Sequence, residues 1–150
     1  MVLSLDQAVD LTRSGDIWLF RGRRAPDRAI RAVTNSPVNH VGIAVVVDDL
    51  PPLIFHAELG KKQVDMWTGG HHRGVQLHDL RGAVSRWQTE YGQDAWLRQL
   101  EPEIGQAEED GMLRTVAGST ASRSPASPGS VRAGSAAGTP TSPEASAASA

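Results

Sequence analysis

Hydrophobic and polar positions along this chain fall into two rhythms. Ser4 with Gln7 three residues on has the form of a helix-start capping box, and Leu5, Ala8, Val9 and Thr12 then share one helical face. Gly15 is a suitable helix stop. Asp16-Ile17-Trp18-Leu19-Phe20 reads as a short strand and Arg21-Gly22-Arg23-Arg24 as a basic loop. Pro26 suits a first helical position, and Ala29, Ile30 and Val33 give a narrow apolar face to a helix over roughly 26–35. Pro37 disfavours helix at the residue before it, so that helix ends there.

The run Val38 to Val47 is nearly all apolar. It reads as a central strand covered on both faces, because Val and Ile fit a pleated, buried surface. Alternation puts His40, Gly42, Ala44 and Val46 on one face and Val41, Ile43, Val45 and Val47 on the other. Gly42 removes bulk beside His40, where a substrate or another backbone can approach. Asp48-Asp49-Leu50-Pro51-Pro52 is a turn. Leu53 to Glu58 is then a hairpin partner of the central strand. Residues 59–73 form a glycine-containing loop with Trp67. Gly74 to His78 is a further strand, and Asp79 can cap a helix whose apolar face is Leu80, Ala83, Val84, Trp87 and Tyr91. Trp96 to Leu100 is a candidate edge strand. Glu103 to about Val116 is a helix with acidic residues early and Arg114 late, which suits its dipole.

The fold class expected is therefore α+β. A small antiparallel sheet (16–21, 40–47, 53–58, 74–78 and the candidate 96–100) is flanked by helices. Residues 1–116 form the domain. In residues 117–150 the composition changes: 30 of those 34 are Ala, Gly, Ser, Thr or Pro. Such a stretch buries too little apolar surface to offset its ordering entropy, which predicts disorder. It has the composition of a flexible tail, and equally that of GC-rich coding DNA read out of frame. The abrupt break inside a helical pattern suits a frameshift or truncation near residue 116.

A net charge of −2 leaves no large electrostatic footprint for nucleic acid. No apolar stretch approaches the ~20 residues that span a bilayer. The first residues lack a basic region followed by a long apolar run, so no signal peptide is expected and the compartment expected is the cytoplasm. There is no cysteine, which removes disulfides, thiolate metal sites and a thiol nucleophile.

Several segments carry a family resemblance. Gly15-Asp16-Ile17-Trp18-Leu19-Phe20 is similar to the glycine-aspartate strand of NlpC-type cell-wall amidases, members of the papain-like cysteine hydrolase superfamily. Asn39-His40-Val41-Gly42-Ile43-Ala44-Val45 resembles their histidine strand. Leu53-Ile54-Phe55-His56-Ala57 and Gly74-Val75-Gln76-Leu77 resemble the next two strands, so the likeness covers roughly residues 15–78. In the ordinary family order a cysteine helix precedes the glycine-aspartate segment, but only 14 residues precede Gly15 and none is Cys. The order is closer to the circularly permuted branch, the bacterial permuted papain-like amidases and lecithin:retinol acyltransferase relatives. There the histidine strand comes first and the cysteine helix last. Arg21-Gly22 and the stretch Ile30 to Pro37 also look like that branch. The resemblance thus implies an incomplete permuted papain-like fold.

In that family a cysteine thiolate attacks an amide or ester carbonyl. A histidine at the position of His40 takes the thiol proton and later protonates the leaving group. A third polar group orients the imidazole. By its match to the family's strand His56 is the candidate for that role, with Glu58, two residues on and facing the same way, in reserve. Asn39, Gly42 and Trp67 are candidates to line the groove. The nucleophile is absent, and Ser36 or Ser85 has no motif support as a substitute, so this chain is expected to be inactive. The alternative is a binding module for a peptide, a lipid or a cell-wall fragment. A binding module should keep a closed fold, whereas a truncated enzyme should lack the helix beside His40 and leave an apolar face exposed.

Other constellations read more blandly. His71, His72 and His78 invite a metal, but no HExxH or two-carboxylate spacing accompanies them, so no metal or cofactor is expected. Arg21, Arg23 and Arg24 can meet an anionic head group or phosphate, though a solvated loop is the simpler reading. Trp87 and Tyr91 read as core. Oligomeric state is not encoded in any pattern recognised in the chain.

Overall fold

Alternating strand segments need partners for their backbone groups, and five of them find one another in a single sheet. The computed structural model describes residues 2–121. Its element order is α1 (Leu5–Asp10), β1 (Ile17–Arg21), α2 (Ala25–Thr34), β2 (His40–Val45), β3 (Leu53–Glu58), β4 (Gly74–Asp79), α3 (Leu80–Tyr91), β5 (Asp94–Arg98) and α4 (Gln106–Ala121). The sheet is antiparallel throughout, in the order β4-β3-β2-β1-β5. The α+β class and the helix-flanked antiparallel sheet are thus as the sequence implies.

The local signals explain most boundaries. The Ser4 hydroxyl accepts the Gln7 N–H at 3.2 Å, and the Gln7 side chain accepts the Ser4 N–H at 3.0 Å. Two donors that a helix start would leave unpaired are thereby satisfied. Asp79 caps α3 by accepting the Gly82 N–H at 2.6 Å. Gly92, at φ +63°, ends α3 in the left-handed conformation that glycine adopts without strain.

Four boundaries differ from the sequence reading. The first helix stops at Asp10, not near Gly15; Gly15 instead turns at φ +87° and donates its N–H to Ala44 O at 3.0 Å, beginning the approach of β1 to β2. Strand β2 ends at Val45, because both Val46 backbone groups bond to the Ser14 hydroxyl at 3.0 Å. The edge strand is Asp94–Arg98, paired with β1 rather than beginning at Trp96. Helix α4 begins at Gln106 and continues past Val116 to Ala121, so the compositional break at Ala117 does not end it. The rest of the expected tail lies outside the described residues.

Each sheet face has its own core. On one, Trp18, Phe20, Ala44 and Ile54 pack under Ala8 and Val9 of α1 and Leu80, Ala83, Val84 and Trp87 of α3. Complete burial of a side chain such as Phe20 or Ile54 stabilises by about 1.5–3 kcal/mol. On the other, Val45, Leu53 and Leu77 meet Val116, with Met112 and Leu113 alongside. Helix α4 covers only that end. Val41 and Ile43 are 45% and 38% exposed, so β2 is not buried on both faces as its apolar run suggests. Helix α2 buries none of its residues; Val33 is exposed and Ile30 borders a cleft.

Candidate functional site

Strand register gathers three histidines on the face that α3 covers. His40 begins β2 opposite Phe20, His56 lies on β3 opposite Gly42, and His78 lies on β4 opposite Ile54. They form a diagonal across three neighbouring strands, the spacing at which long side chains still touch. His40 Nε2 is 3.1 Å from His56 Nδ1, and His56 Nε2 is 2.8 Å from His78 Nδ1. Among the described residues His40 Nδ1 has no hydrogen-bond partner and His40 borders a cleft, whereas His78 Nε2 is buried without a partner.

Two consecutive hydrogen bonds between neutral imidazoles admit two proton arrangements. In one, His40 Nε2–H donates to His56 and His56 Nε2–H donates to His78, leaving His40 Nδ1 as a bare acceptor. In the other every proton sits on the opposite nitrogen, and His40 Nδ1 carries an N–H. Only the first makes His40 a base at Nδ1.

Trp87 of α3 roofs the group. Its indole stands edge-on to the His40 and His56 rings, at 5.0 and 4.8 Å between centroids, and meets Phe20 at 4.7 Å. Burial disfavours the charged imidazoles. It lowers His40 to about 4. It lowers His56 to about 2, reinforced by repulsion from His40 and His78 and opposed by Asp65. His78 is lowered by burial, with Asp65 pulling the other way and His72 and Arg86 adding to the depression. The three rings are thus neutral at pH 7. Burial raises the Glu58 carboxyl above its ordinary range, against the pull of Arg86.

A cleft of about 420 Å³ opens at this site, bordered by Asn39, His40, Glu58, Trp87 and Tyr91, with Arg24, Asp27 and Ile30 on the α2 side. Asn39 and Glu58 therefore stand where the sequence reading puts a groove. The Asn39 carboxamide is already engaged: it accepts the Gly22 N–H at 2.6 Å and donates to Asp27 at 3.1 Å, tying β1 to α2. Gly42 does not line the groove. A Cβ there would lie 2.5 Å from Ile54 Cδ1, so its missing side chain accommodates the core.

Trp67 does not line it either. It is half exposed on the loop between β3 and β4, away from the cleft. That loop is held from beneath by buried Asp65, which accepts N–H groups from Leu77 at 2.7 Å and Thr68 at 2.9 Å and the Thr68 hydroxyl at 2.7 Å. His71 and His72 also stay on the loop, His72 Nε2 lying 3.3 Å from Asp65 Oδ2. His78 leaves the loop for the sheet and is only 3% exposed. Donor atoms of His56, Glu58 and His78 lie within 4.8 Å of one another.

Nor does the structure show the apolar exposure expected beside His40 in a chain lacking a helix there. Helix α3 fills that place, and the exposed Val41, Ile43 and Trp96 belong to the opposite face. Among the described residues no helix is long and apolar enough to cross a membrane. No protein-family model, no curated protein and no solved structure matches this chain.

Proposed function

We propose that this chain carries the base-and-orienter part of a thiol-dependent amidase or acyltransferase of the permuted papain-like class, acting on an amide or ester bond. One observation supports the reading most: His56 holds His40 by its Nε2 edge at 3.1 Å, and among the described residues Nδ1 has no partner while His40 borders a cleft. In such an enzyme His40 Nδ1 takes the thiol proton as sulfur adds to the carbonyl carbon. It then returns the proton to the amine or alcohol as the carbonyl re-forms. Burial keeps His40 unprotonated at pH 7, as a base must be, although it also weakens the ring as a proton acceptor. These 150 residues hold no cysteine, so they do not turn over by this route.

The test is the coding DNA from codon 110 onward, past the stop. The reading expects another frame to extend α4 into an apolar-patterned segment with a cysteine-bearing helix. The protein made from that frame should react with a thiol-directed probe, and His40→Ala should slow the reaction by about 100-fold or more. A shifted frame with no such helix removes the support.

The second reading is a non-catalytic module that binds a peptide, lipid or cell-wall fragment. Closure of the His40 face by α3 favours it. Titration of the chain with a muropeptide, a short peptide or a fatty-acyl amide distinguishes the two. Saturable binding abolished by Trp87→Ala, with no cysteine-bearing frame in the DNA, would leave the binding module standing alone.

A further inference from the structure

His56 and His78 present facing nitrogens, 2.8 Å apart, from adjacent strands. Both side chains are almost wholly buried, at 4% and 3% exposure. Glu58 follows His56 by two residues on the same face, and its carboxylate is within 4.8 Å of a ring nitrogen of each histidine. Two neutral imidazoles and one carboxylate are a common transition-metal donor set, one that leaves a position open for water.

We propose that His56, Glu58 and His78 form a site for one divalent transition-metal ion, with zinc the simplest occupant. Nitrogens bound tetrahedrally to zinc at ~2.0–2.1 Å stand roughly 3.3 Å apart. The nitrogens must therefore separate by about half an ångström and the rings turn so that both lone pairs converge on the ion. Burial already favours the neutral imidazoles that a metal needs, and a cation offsets the cost of the half-buried Glu58 carboxylate. Glu58 also borders the cleft, which gives the ion a way in. Arg86, whose charge reaches both Glu58 and His78, opposes the ion, and Asp65 offsets it. His40 completes the arrangement as the acceptor for the other ring nitrogen of His56, the kind of outer contact that fixes a metal-binding histidine.

The site has a consequence for the reading proposed above, although it stands without it. A metal on His56 Nε2 puts the His56 proton on Nδ1, where it donates to His40 Nε2. The remaining proton of His40 is then on Nδ1. Metal occupancy and a bare base at His40 Nδ1 thus exclude one another.

Zinc titration of the EDTA-treated full chain, followed by calorimetry, tests the proposal. One ion should bind per chain with a Kd on the order of 1 µM or tighter. His78→Asn and Glu58→Gln should each weaken binding by at least about 10-fold, while His71→Asn with His72→Asn leaves it within about 3-fold. If a variant fails to fold, histidine ¹⁵N spectra of the unaltered chain decide. Zinc should move the His56 Nε2 and His78 Nδ1 resonances and leave a proton on His56 Nδ1. Absence of saturable binding, binding lost with the loop histidines, or zinc shifts confined to His71 and His72 would overturn the proposal.

Discussion

At the scale of single residues, the site is governed by burial. His40 and His56 titrate near 6.5 when unfolded but at about 4 and about 2 in the fold. Between pH 6.5 and 4 the unfolded chain therefore binds more protons than the native one. Stability is level above pH 6.5 and falls as pH drops through that window. For each ring held neutral the slope approaches about 1.4 kcal/mol per pH unit once the unfolded ring is protonated. Urea unfolding of the metal-free protein at pH 7 and pH 5 checks this, and equal free energies would contradict it. Gly42→Ala places a methyl 2.5 Å from buried Ile54, so it should cost about 1–3 kcal/mol of unfolding free energy. His40 and His56 were legible as a pair, because a strand-end histidine and a hairpin partner announce themselves in alternation. His78 was not. Its meeting with His56 depends on a strand register across a 15-residue connection, 59–73, which local periodicity does not encode. Gly42 does share the face of His40, but the Ile54 side chain fills the space beside it, and Trp67 sits on a loop whose course periodicity does not encode.

At the scale of elements, α3 is the piece that turns a sheet into a site. Its cap at Asp79 follows directly from β4, and one helix face carries Leu80, Ala83, Val84 and Trp87 onto the sheet. Asp79→Ala should cost about 0.5–2 kcal/mol, measurable by chemical denaturation, by leaving the Gly82 N–H without its cap. An unchanged stability would mean that water serves the helix start equally well. The capping signals and the 3.6-residue period made α1 and α3 readable from the chain. Helix α2 was legible too, and its narrow apolar stripe of Ala29, Ile30 and Val33 lies on the surface beside a cleft without entering a core. Helix α4 runs five residues past its expected end, through Ala117-Gly118-Ser119-Thr120-Ala121, although only the two alanines there are strong helix formers.

At the scale of the whole molecule, the two sheet faces are unequal. One is closed by α1 and α3 and holds the histidines; the other is covered by α4 only around Val45, Leu53 and Leu77. Substitutions should separate them. Val41→Thr with Ile43→Thr on the open face should change unfolding free energy by less than about 1 kcal/mol. Ile54→Ala on the closed face should cost about 2–5 kcal/mol. Comparable losses from both would show that something covers the open face in solution. The antiparallel sheet itself could be read in advance, since five short alternating segments have few other ways to pair. Its strand order could not, since nothing local places β5 beside β1.

Histidine tautomers, read by ¹⁵N NMR on the EDTA-treated chain at pH 7, test the account most directly. Three uncharged rings are predicted, with the protons of His40 and His56 on Nε2 and His40 Nδ1 bare. A proton resident on His40 Nδ1, or a charged ring at any of the three positions, would contradict the reading of His40 as a base held ready at the cleft.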